Sequence, residues 1–493
     1  MQKKQTILVV ASLLVVVLSV TLAYFTTQII GKGKDVSVSS ADLKIIFTDS
    51  DGAISGSNIE PGWSDTKTFT VENNSKSEYK YNIVIKDLLN TFVTNGYLQY
   101  KITSTNGGYN MTEFKDVPKS SVATDTILAY SVVIPNGVTQ SYTIEFKYAN
   151  DESVDQSDDM GKKLSGKLFI TEGTEDPNKT LYNQLLADKS TVLTRTDFSK
   201  VLTDNNTKTL YTSTEDSKTV YYFAGNATDN WVKFGKNASN QDLYWRIIRT
   251  NSDGGVRLLY HGTSTTATDA YIRTSTFNSS YNNIAYVSYM YGNLGSVANA
   301  RENTTDSTIK TIIDNWYKDN LNTNYGKYLS TTAVYCNDRS TSDNAYFGAY
   351  TRLITNKTPS YDCTATEDKF TVDSTVGNGK LTYPIALMTA DEVSFAGGLY
   401  GTNAPTWYYY NSANGSSTGS TFWWLLSPGV WSGSDAGVFY VYGSSGPGFL
   451  NNVNVFAGGG VRPVISLKSC IKYSTGNGSA SDPYTIQETT SGC

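Results

Sequence analysis

The residue types that could do acid–base or nucleophilic chemistry are scarce in this chain. It has 493 residues but one histidine, His261, so a Ser-His-Asp triad would have to use it. No G-x-S-x-G motif sits at a predicted strand-to-helix turn, where it would present a serine nucleophile. His261 follows a predicted strand and precedes Gly262, and we interpret it as an ordinary loop residue. The sequence therefore predicts no catalytic residue and no enzyme activity.

The cysteines are better placed for structure than for chemistry. They are Cys336, Cys363, Cys470 and Cys493. Four cysteines allow three connectivities, and pairing the neighbours in sequence, Cys336 with Cys363 and Cys470 with Cys493, is the simplest. Such bridges persist in an oxidising compartment. A zinc site is disfavoured because the chain has no C-x-x-C motif and a single histidine.

Two acidic stretches are candidate calcium sites. Asp49, Asp51 and Glu60 have spacings like those of an EF-hand loop, but Ala53 and Ile54 stand where a ligand and the glycine belong. An EF-hand is therefore excluded. The acidic run at residues 151–159 is interpreted as a solvated loop, with a calcium site as the alternative. The prediction is no metal and no cofactor.

The stretch from Trp423 to Leu467 is the best candidate for recognition, because it combines Gly, Ser, Asn, Tyr and Trp with almost no charge. Aromatic side chains give contact area at low entropic cost, and the small polar ones give adaptable hydrogen bonds. Strand alternation would place Val438, Tyr440 and Tyr442 on one face. The candidate ligand-binding residues are Trp431, Ser434, Asp435, Tyr440, Tyr442, Ser444, Asn451, Asn452, Asn454 and Phe456. The alternative is that the tyrosines are half-buried sheet residues and the asparagines ordinary turn formers.

The N terminus indicates export. Lys3 and Lys4 precede an apolar run from Ile7 to Ala23, so residues 1–30 are predicted to be a signal peptide or a retained membrane anchor. The chain carries 45 acidic and 40 basic residues, a net charge of −5, without a basic face for nucleic acid. The expected partner is an extracellular protein or glycan, and the membrane is contacted only through the N-terminal segment.

The rest of the chain divides into two predicted domains. Residues 36–172 contain short runs of period two and predict an all-β antiparallel sandwich. Residues 173–180 are polar and are predicted to form a linker. Residues 181–493 predict an α+β domain. Its clearest elements are a hairpin around residues 251–255, an amphipathic helix on Ile309, Ile312, Ile313 and Trp316, and a capping box at Thr389.

The N-terminal domain resembles the camelysin-type and biofilm-matrix secreted proteins of Gram-positive bacteria. The resemblance rests on TLAYFTTQ at residues 21–28 and IEPGWSDTKTFTVENNS at residues 59–75. It implies a secreted β-sandwich and no active site. Since some members form fibres, a matrix or fibre subunit is the first alternative function.

The C-terminal domain resembles the C-type-lectin-like proteins related to formylglycine-generating enzymes, especially the variable proteins of diversity-generating retroelements. The resemblance rests on YWRIIRTNSDGGVRLLY, YPIALMTADEVSFAGG, FWWLLSPG and GGGVRPVISLKS, in that order from residue 244 to residue 469. It implies a stable scaffold that displays a varied ligand-binding surface. The Glu-Pro-Asn and Trp-Asn-Asp triplets of calcium-dependent sugar binding are absent, which disfavours that mode.

These observations together predict an exported bacterial cell-surface protein for adhesion or ligand binding. An enzyme of the formylglycine-generating kind is the second alternative. It would use a cysteine pair, but Cys336 and Cys363 lie in no segment that aligns with that active site, so a structural disulfide is expected instead.

Overall fold

The computed structural model describes residues 36–40, 43–49, 53–56, 59–111, 113–174, 176–177, 179–204, 206–268, 270–341, 345–404, 421–443 and 446–493. The predicted signal or anchor at residues 1–30 lies outside these residues. No helix among the described residues is long and apolar enough to cross a membrane. The chain divides into two compact units, up to residue 177 and from residue 178, a boundary inside the segment expected to be a linker.

The first unit is built from antiparallel strands. They are β1 Val36–Ser40, β2 Leu43–Asp49, β3 Ala53–Gly56, β4 Ser64–Asn73, β5 Tyr79–Asn90, β6 Leu98–Ser104, β7 Lys115–Asp116, β8 Ser120–Ile134, β9 Thr139–Tyr148 and β10 Leu164–Glu172. One sheet has the order β1-β2-β4-β9-β6-β7 and the other β3-β10-β5-β8. Side chains from both sheets form one hydrophobic core.

Strand alternation explains how this core forms. Along β9 the inward positions are buried and the outward ones are not, so Tyr142, Ile144 and Phe146 all point into the core. The rings of Phe69 and Tyr142 stack at 4.6 Å across neighbouring strands. The hydroxyl of Tyr81, from the opposite sheet, lies 2.5 Å from that of Tyr142, so the polar tips of the core tyrosines satisfy each other.

The second unit mixes helices and strands. Its helices are α1 Leu181–Asp188, α2 Val297–Ala300, α3 Thr308–Asn320, α4 Asn322–Tyr325, α5 Gly348–Tyr350 and α6 Ala390–Phe395, with shorter or irregular helical turns at Ile284–Val287, Gly326–Tyr328, Thr351–Asn356 and Thr366–Asp368. Its strands are β11 Thr191–Thr194, β12 Thr209–Glu215, β13 Lys218–Tyr222, β14 Trp231–Lys236, β15 Asp242–Thr250, β16 Val256–Gly262, β17 Thr274–Ser275, β18 Met290–Tyr291, β19 Thr305–Asp306, β20 Tyr335–Cys336, β21 Lys369–Phe370, β22 Ile385–Leu387, β23 Leu399–Tyr400, β24 Trp423–Trp431, β25 Ala436–Val441, β26 Phe449–Asn454, β27 Gly459–Gly460, β28 Pro463–Leu467, β29 Tyr473–Thr475 and β30 Tyr484–Ile486.

Two sheets organise this unit. The larger has the order β11-β12-β13-β15-β14-β30-β29, with β16 joining β15 to β28 and β22 pairing with β28. The smaller has the order β17-β27-β24-β25-β26-β23. Both sheets contribute to one extended hydrophobic core. The protein is therefore a mostly β, multi-sheet molecule, which confirms the coarse fold class expected from the sequence.

Several local predictions are confirmed. The hairpin is β15 and β16, in antiparallel register. Helix α3 buries Ile309 and Ile313 of the predicted apolar face, whereas Ile312 and Trp316 are partly buried and Tyr317 is buried as well. At α6 the Thr389 hydroxyl accepts the Glu392 N–H at 3.1 Å and the Glu392 carboxylate accepts the Thr389 N–H at 3.0 Å, the reciprocal bonds of a capping box.

The cysteines pair as expected. Cys336 bonds to Cys363 and Cys470 to Cys493, across 27 and 23 residues, with Cα–Cα distances of 5.7 and 5.4 Å. Two such bridges indicate folding in an oxidising environment. Cys336 and Cys363 thus form the structural disulfide expected from the sequence.

One interpretation from the sequence is wrong. His261 is not a loop residue but the penultimate residue of β16, and it is fully buried. Its ring lies edge-on to Trp231 with 4.4 Å between centroids. Burial, together with the charges of Arg462 and Arg246, holds its pKa well below 6.5, so the imidazole is neutral. The strand simply continues two residues further than its apolar pattern indicates.

Candidate functional site

The hairpin β24–β25 forms the centre of the candidate site. Its register pairs Trp423 with Val441, Trp424 with Tyr440 and Trp431 with Ala436. Every residue of β25 is buried, as is β24 up to Gly429, so neighbours cover both faces of the hairpin. Only the end of the hairpin at Trp431 approaches solvent. A buried uncharged stem therefore fixes the position of an exposed tip.

The structure buries Tyr440 and leaves Tyr442 partly exposed. Tyr440 and Tyr442 share a face, as alternation requires, with 5.0 Å between ring centroids. Tyr440 is only 5% exposed and also packs 4.9 Å from Phe422. Burial raises its pKa above the ordinary value, so the hydroxyl stays protonated. Tyr440 thus supports the surface from beneath, while Tyr442 is partly exposed.

Asn451 and Asn452 are partly exposed but engaged in local bonds. The Asn451 side-chain oxygen accepts the Asn452 N–H at 2.8 Å. The Asn452 amide donates to the Tyr400 hydroxyl at 3.2 Å. Asn452 also packs against Gly429, where an added Cβ would lie 2.8 Å from the Asn452 Cβ, so glycine is needed for this approach. Both asparagines therefore help to assemble the sheet.

Asn454 connects β26 to the hairpin loop. Its side-chain oxygen accepts the Phe456 N–H and its amide donates to the Asp435 carboxylate, both at 2.9 Å. Ser434 is exposed and donates to the same carboxylate at 2.9 Å. Ser444 lies outside the described residues. Asp435 and Asn454 consequently hold the loop in shape, and they set the position of Phe456.

Aromatic side chains surround the exposed end of the hairpin. The Ala436 N–H donates to the Tyr281 carbonyl at 2.9 Å on one side, and the Trp431 N–H donates to the Ala345 carbonyl at 2.7 Å on the other. Because Trp431 and Ala436 face each other, the end of the hairpin lies between the segment of Tyr281 and the segment of Ala345. We call Tyr281, Tyr346, Tyr350, Trp431 and Phe456 the aromatic rim.

Three rim side chains are among the exposed large apolar residues of the described part of the chain. Phe456 is 54% exposed, Tyr346 44% and Tyr281 41%. The rings of Tyr281 and Phe456 lie 6.0 Å apart, and those of Tyr346 and Tyr350 stack at 4.5 Å. These neighbours fix one another's orientation while leaving ring faces and edges accessible. Such preorganised aromatic surface is what binding hot spots use.

Sequence reasoning missed three rim residues, Tyr281, Tyr346 and Tyr350. The last two are four positions apart, a spacing that could have indicated a stacked pair on a helical turn. Nothing in the local sequence places Tyr281 beside β25, since the contact spans more than 150 residues. Of the predicted residues, Trp431 and Phe456 belong to the rim.

A second candidate site is a cluster of buried arginine and carboxylate side chains. Arg249 donates to Glu392 at 3.0 Å and to Glu215 at 2.7 Å, and Arg257 contacts Glu392 at 3.2 Å. All four side chains are at most 10% exposed. A carboxylate thus sits between two guanidinium groups, an arrangement that compensates each buried charge.

Arg352 extends this cluster with two further carboxylates. Its guanidinium makes a bidentate pair with Asp391, both bonds at 2.9 Å, and also contacts Asp338 at 2.5 Å. The narrow cavity between these groups has a volume of about 20 Å³. The Tyr361 hydroxyl, in its wall, has no hydrogen-bond partner among the described residues. The cavity suits ordered water better than a substrate.

No protein-family profile, curated protein or solved structure matches this chain. The geometry of the two clusters is therefore the basis for assigning function. The rim is open and uncharged, while the charged cluster is closed and internally compensated.

The acidic loop of the first unit has structural partners. The Asp151 carboxylate accepts the Ser153 N–H at 2.9 Å, and Asp159 accepts the Tyr148 hydroxyl at 2.8 Å. Over the described residues, no group of three or more histidine, cysteine, aspartate or glutamate side chains is arranged to hold a metal ion.

Proposed function

We propose that this protein is an exported cell-surface recognition protein, and that the aromatic rim of its second unit binds an extracellular protein or glycan. The single observation that carries the proposal is the exposure of Phe456, Tyr346 and Tyr281 around a completely buried hairpin stem. Rings that are 41–54% exposed keep apolar surface in contact with water. Contact with a partner would remove that surface from water, which is favourable.

The supporting physics is preorganisation. Each rim residue is held by a backbone bond to a neighbouring segment or by a second ring, so little conformational entropy is lost on binding. The five rim side chains are uncharged, and the nearby Asp435 carboxylate accepts hydrogen bonds from Ser434 and Asn454, which favours a partner that presents apolar or sugar-ring surface to the rings. Aromatic rings stack on both kinds of surface, and Ser434 beside them supplies a hydroxyl for hydrogen bonding.

The C-type-lectin-like scaffold is part of the proposal. Three of the four sequence pieces that suggested it contribute neighbouring strands, since β16 pairs with β15 and β28, and β28 pairs with β22. The fourth contributes β24, which ends at Trp431 of the rim. Diversification of the rim by a retroelement would place varied positions on this exposed end. Export through residues 1–30 would bring the rim to the cell exterior, and the two disulfides support that location.

A glycan and protein array tests the proposal. The full chain is expected to bind a defined subset of extracellular ligands, and a triple variant, Tyr281→Ser, Tyr346→Ser and Phe456→Ser, is expected to lose at least about tenfold in affinity, as hot-spot truncations do. The matched control is Leu294→Ser, which removes an equally exposed apolar side chain, 48%, outside the rim.

Equal binding by the wild type and the triple variant would contradict the proposal. Concentration-dependent fibres in a sedimentation run, without ligand binding, would favour the matrix-subunit alternative instead.

A further inference from the structure

The second unit contains a lysine and an aspartate that are buried together. The Lys189 ammonium lies 2.7 Å from Oδ2 of Asp229, and the two side chains are 0% and 5% exposed. Lys189 follows the end of α1, and Asp229 precedes β14. The rings of Phe223 and Tyr484 lie 5.3 and 5.8 Å from the lysine nitrogen. The pair is therefore enclosed largely by aromatic surface.

A second buried lysine in the same unit provides a comparison. Lys310 lies between two carboxylates, 2.6 Å from Asp314 and 3.2 Å from Asp306, and they compensate its charge. Lys189 has one carboxylate at ion-pair distance. Burial lowers the pKa of Lys189, although the charge of Asp229 acts in the opposite direction. Low polarity thus brings the neutral, nucleophilic amine of Lys189 closer in free energy to its ammonium form.

Two further groups are placed where a condensation would need them. The backbone N–H of Lys208 donates to Oδ2 of Asp229 at 3.0 Å, and can stabilise negative charge developing on that oxygen. The Tyr484 hydroxyl lies 3.4 Å from the Lys189 nitrogen and donates to the Asp188 carboxylate at 2.6 Å. Tyr484 and Asp188 therefore form a path for moving protons between the lysine nitrogen and a carboxylate base.

We propose that Lys189 and Asp229 condense into an intramolecular isopeptide bond. The lysine nitrogen attacks Cγ of Asp229, a C–N bond forms and one C–O bond of the carboxyl group breaks. Of the three protons on the ammonium group, one stays on the amide nitrogen and two leave with the departing oxygen as water. The step is redox-neutral and needs no co-reactant. Fixed contact between the groups replaces the activation that an intermolecular amidation requires.

The bond would give the unit a covalent brace. It closes the segment from residue 189 to residue 229, which contains β11, β12 and β13 at one edge of the large sheet. It also removes two buried charges and replaces them with a neutral amide. A protein exposed outside the cell would gain resistance to local unfolding at this edge.

Peptide mapping of the full chain, reduced and digested with trypsin, tests the inference. An acylated Lys189 is not cleaved, so residues 180–195 are expected to remain joined to residues 219–233. The joined species should be lighter by one water than the sum of the two peptides. Fragmentation should place the link at Lys189 and Asp229.

Variants of the two residues show whether the joined species depends on a Lys189–Asp229 bond. Lys189→Arg and Asp229→Ala should each abolish the joined species, whereas Lys310→Arg should leave it intact. Complete recovery of separate peptides 180–189 and 219–233 from the wild-type protein would overturn the inference, and this readout does not depend on whether any variant folds.

Discussion

The aromatic rim and the arginine–carboxylate cluster lie in the same unit and on connected elements, yet they are built on opposite principles. The cluster buries its charges and pairs every guanidinium with a carboxylate. The rim has no charge and leaves Phe456, Tyr346 and Tyr281 substantially exposed. Strand β24 connects them, since Ser427 accepts the Ala390 N–H at 2.9 Å beside the cluster and Trp431 belongs to the rim.

This difference separates residues that stabilise the fold from residues that are available to bind a partner. Paired buried charges require one arrangement, because removal of either partner leaves an uncompensated charge. Exposed rings on a fixed backbone contribute little to folding, so their position calls for a different explanation. We infer that the cluster stabilises the folded core and sheets of the second unit, which we call the frame, and that the rim makes contact with partners. Substitutions in the cluster should therefore lower stability, and substitutions in the rim should lower binding with little change in stability.

The largest expected effect on stability is at Glu392. Glu392→Ala removes the carboxylate between Arg249 and Arg257 and also half of the capping box of α6. We expect the free energy of unfolding to fall by about 3–5 kcal/mol, the usual consequence of breaking a buried ion pair from one side. Chemical denaturation measures it. Glu488→Ala, at an exposed position, is the control and should change little.

Removal of the disulfide beside the cluster should have the next largest effect. Cys336 lines the cavity, and its bond to Cys363 closes a 27-residue loop. Replacing both cysteines by alanine is expected to lower stability by about 2–4 kcal/mol, because the unfolded chain gains freedom. Thermal melting of this variant and of the wild type provides the comparison. An unchanged melting temperature would show that the bridge does not support the frame.

Acid should weaken the cluster through Glu215. Burial acts to raise the pKa of this carboxyl, but the charges of Arg249 and Arg257 outweigh it and hold the pKa below its ordinary value of 4.5. A depressed folded-state pKa means that the stabilisation is present above 4.5 and is lost as pH falls through the folded-state value. Glu215→Gln should thus be less stable than wild type at neutral pH, with the difference shrinking in acid. A constant difference across the titration would contradict this account.

The smallest expected effect on stability is at the rim. Phe456→Ser removes a ring that is 54% exposed, and we expect a change within about 0.5 kcal/mol in the free energy of unfolding. The same denaturation experiment as for Glu392 measures it. A loss as large as that of Glu392→Ala would mean that the rim belongs to the frame and that the comparison is wrong.

The sequence predicts the frame better than the rim, for physical reasons. Period-two strands such as β9, the capping box at Thr389 and the two disulfides follow from local patterns, and all are present. The short strands β3 and β7 cannot be predicted in this way, because four or fewer residues carry little periodicity.

The rim depends on contacts that no local pattern encodes. Tyr281 reaches β25 through a single backbone bond, and its own segment has no period. Alternation correctly put Tyr440 and Tyr442 on one face but could not indicate that Phe422 covers that face. Likewise no local pattern pairs Lys189 with Asp229, which the fold brings within 2.7 Å of each other.

Oxidative footprinting of the full chain, with and without a ligand identified on the array, tests the central claim most directly. We expect bound ligand to protect Phe456, Tyr346 and Tyr281 from hydroxyl radicals. Leu294 and Met160, which are exposed outside the rim, should keep their reactivity. Protection confined to residues away from the rim, with Phe456 as reactive as in the free protein, would contradict it.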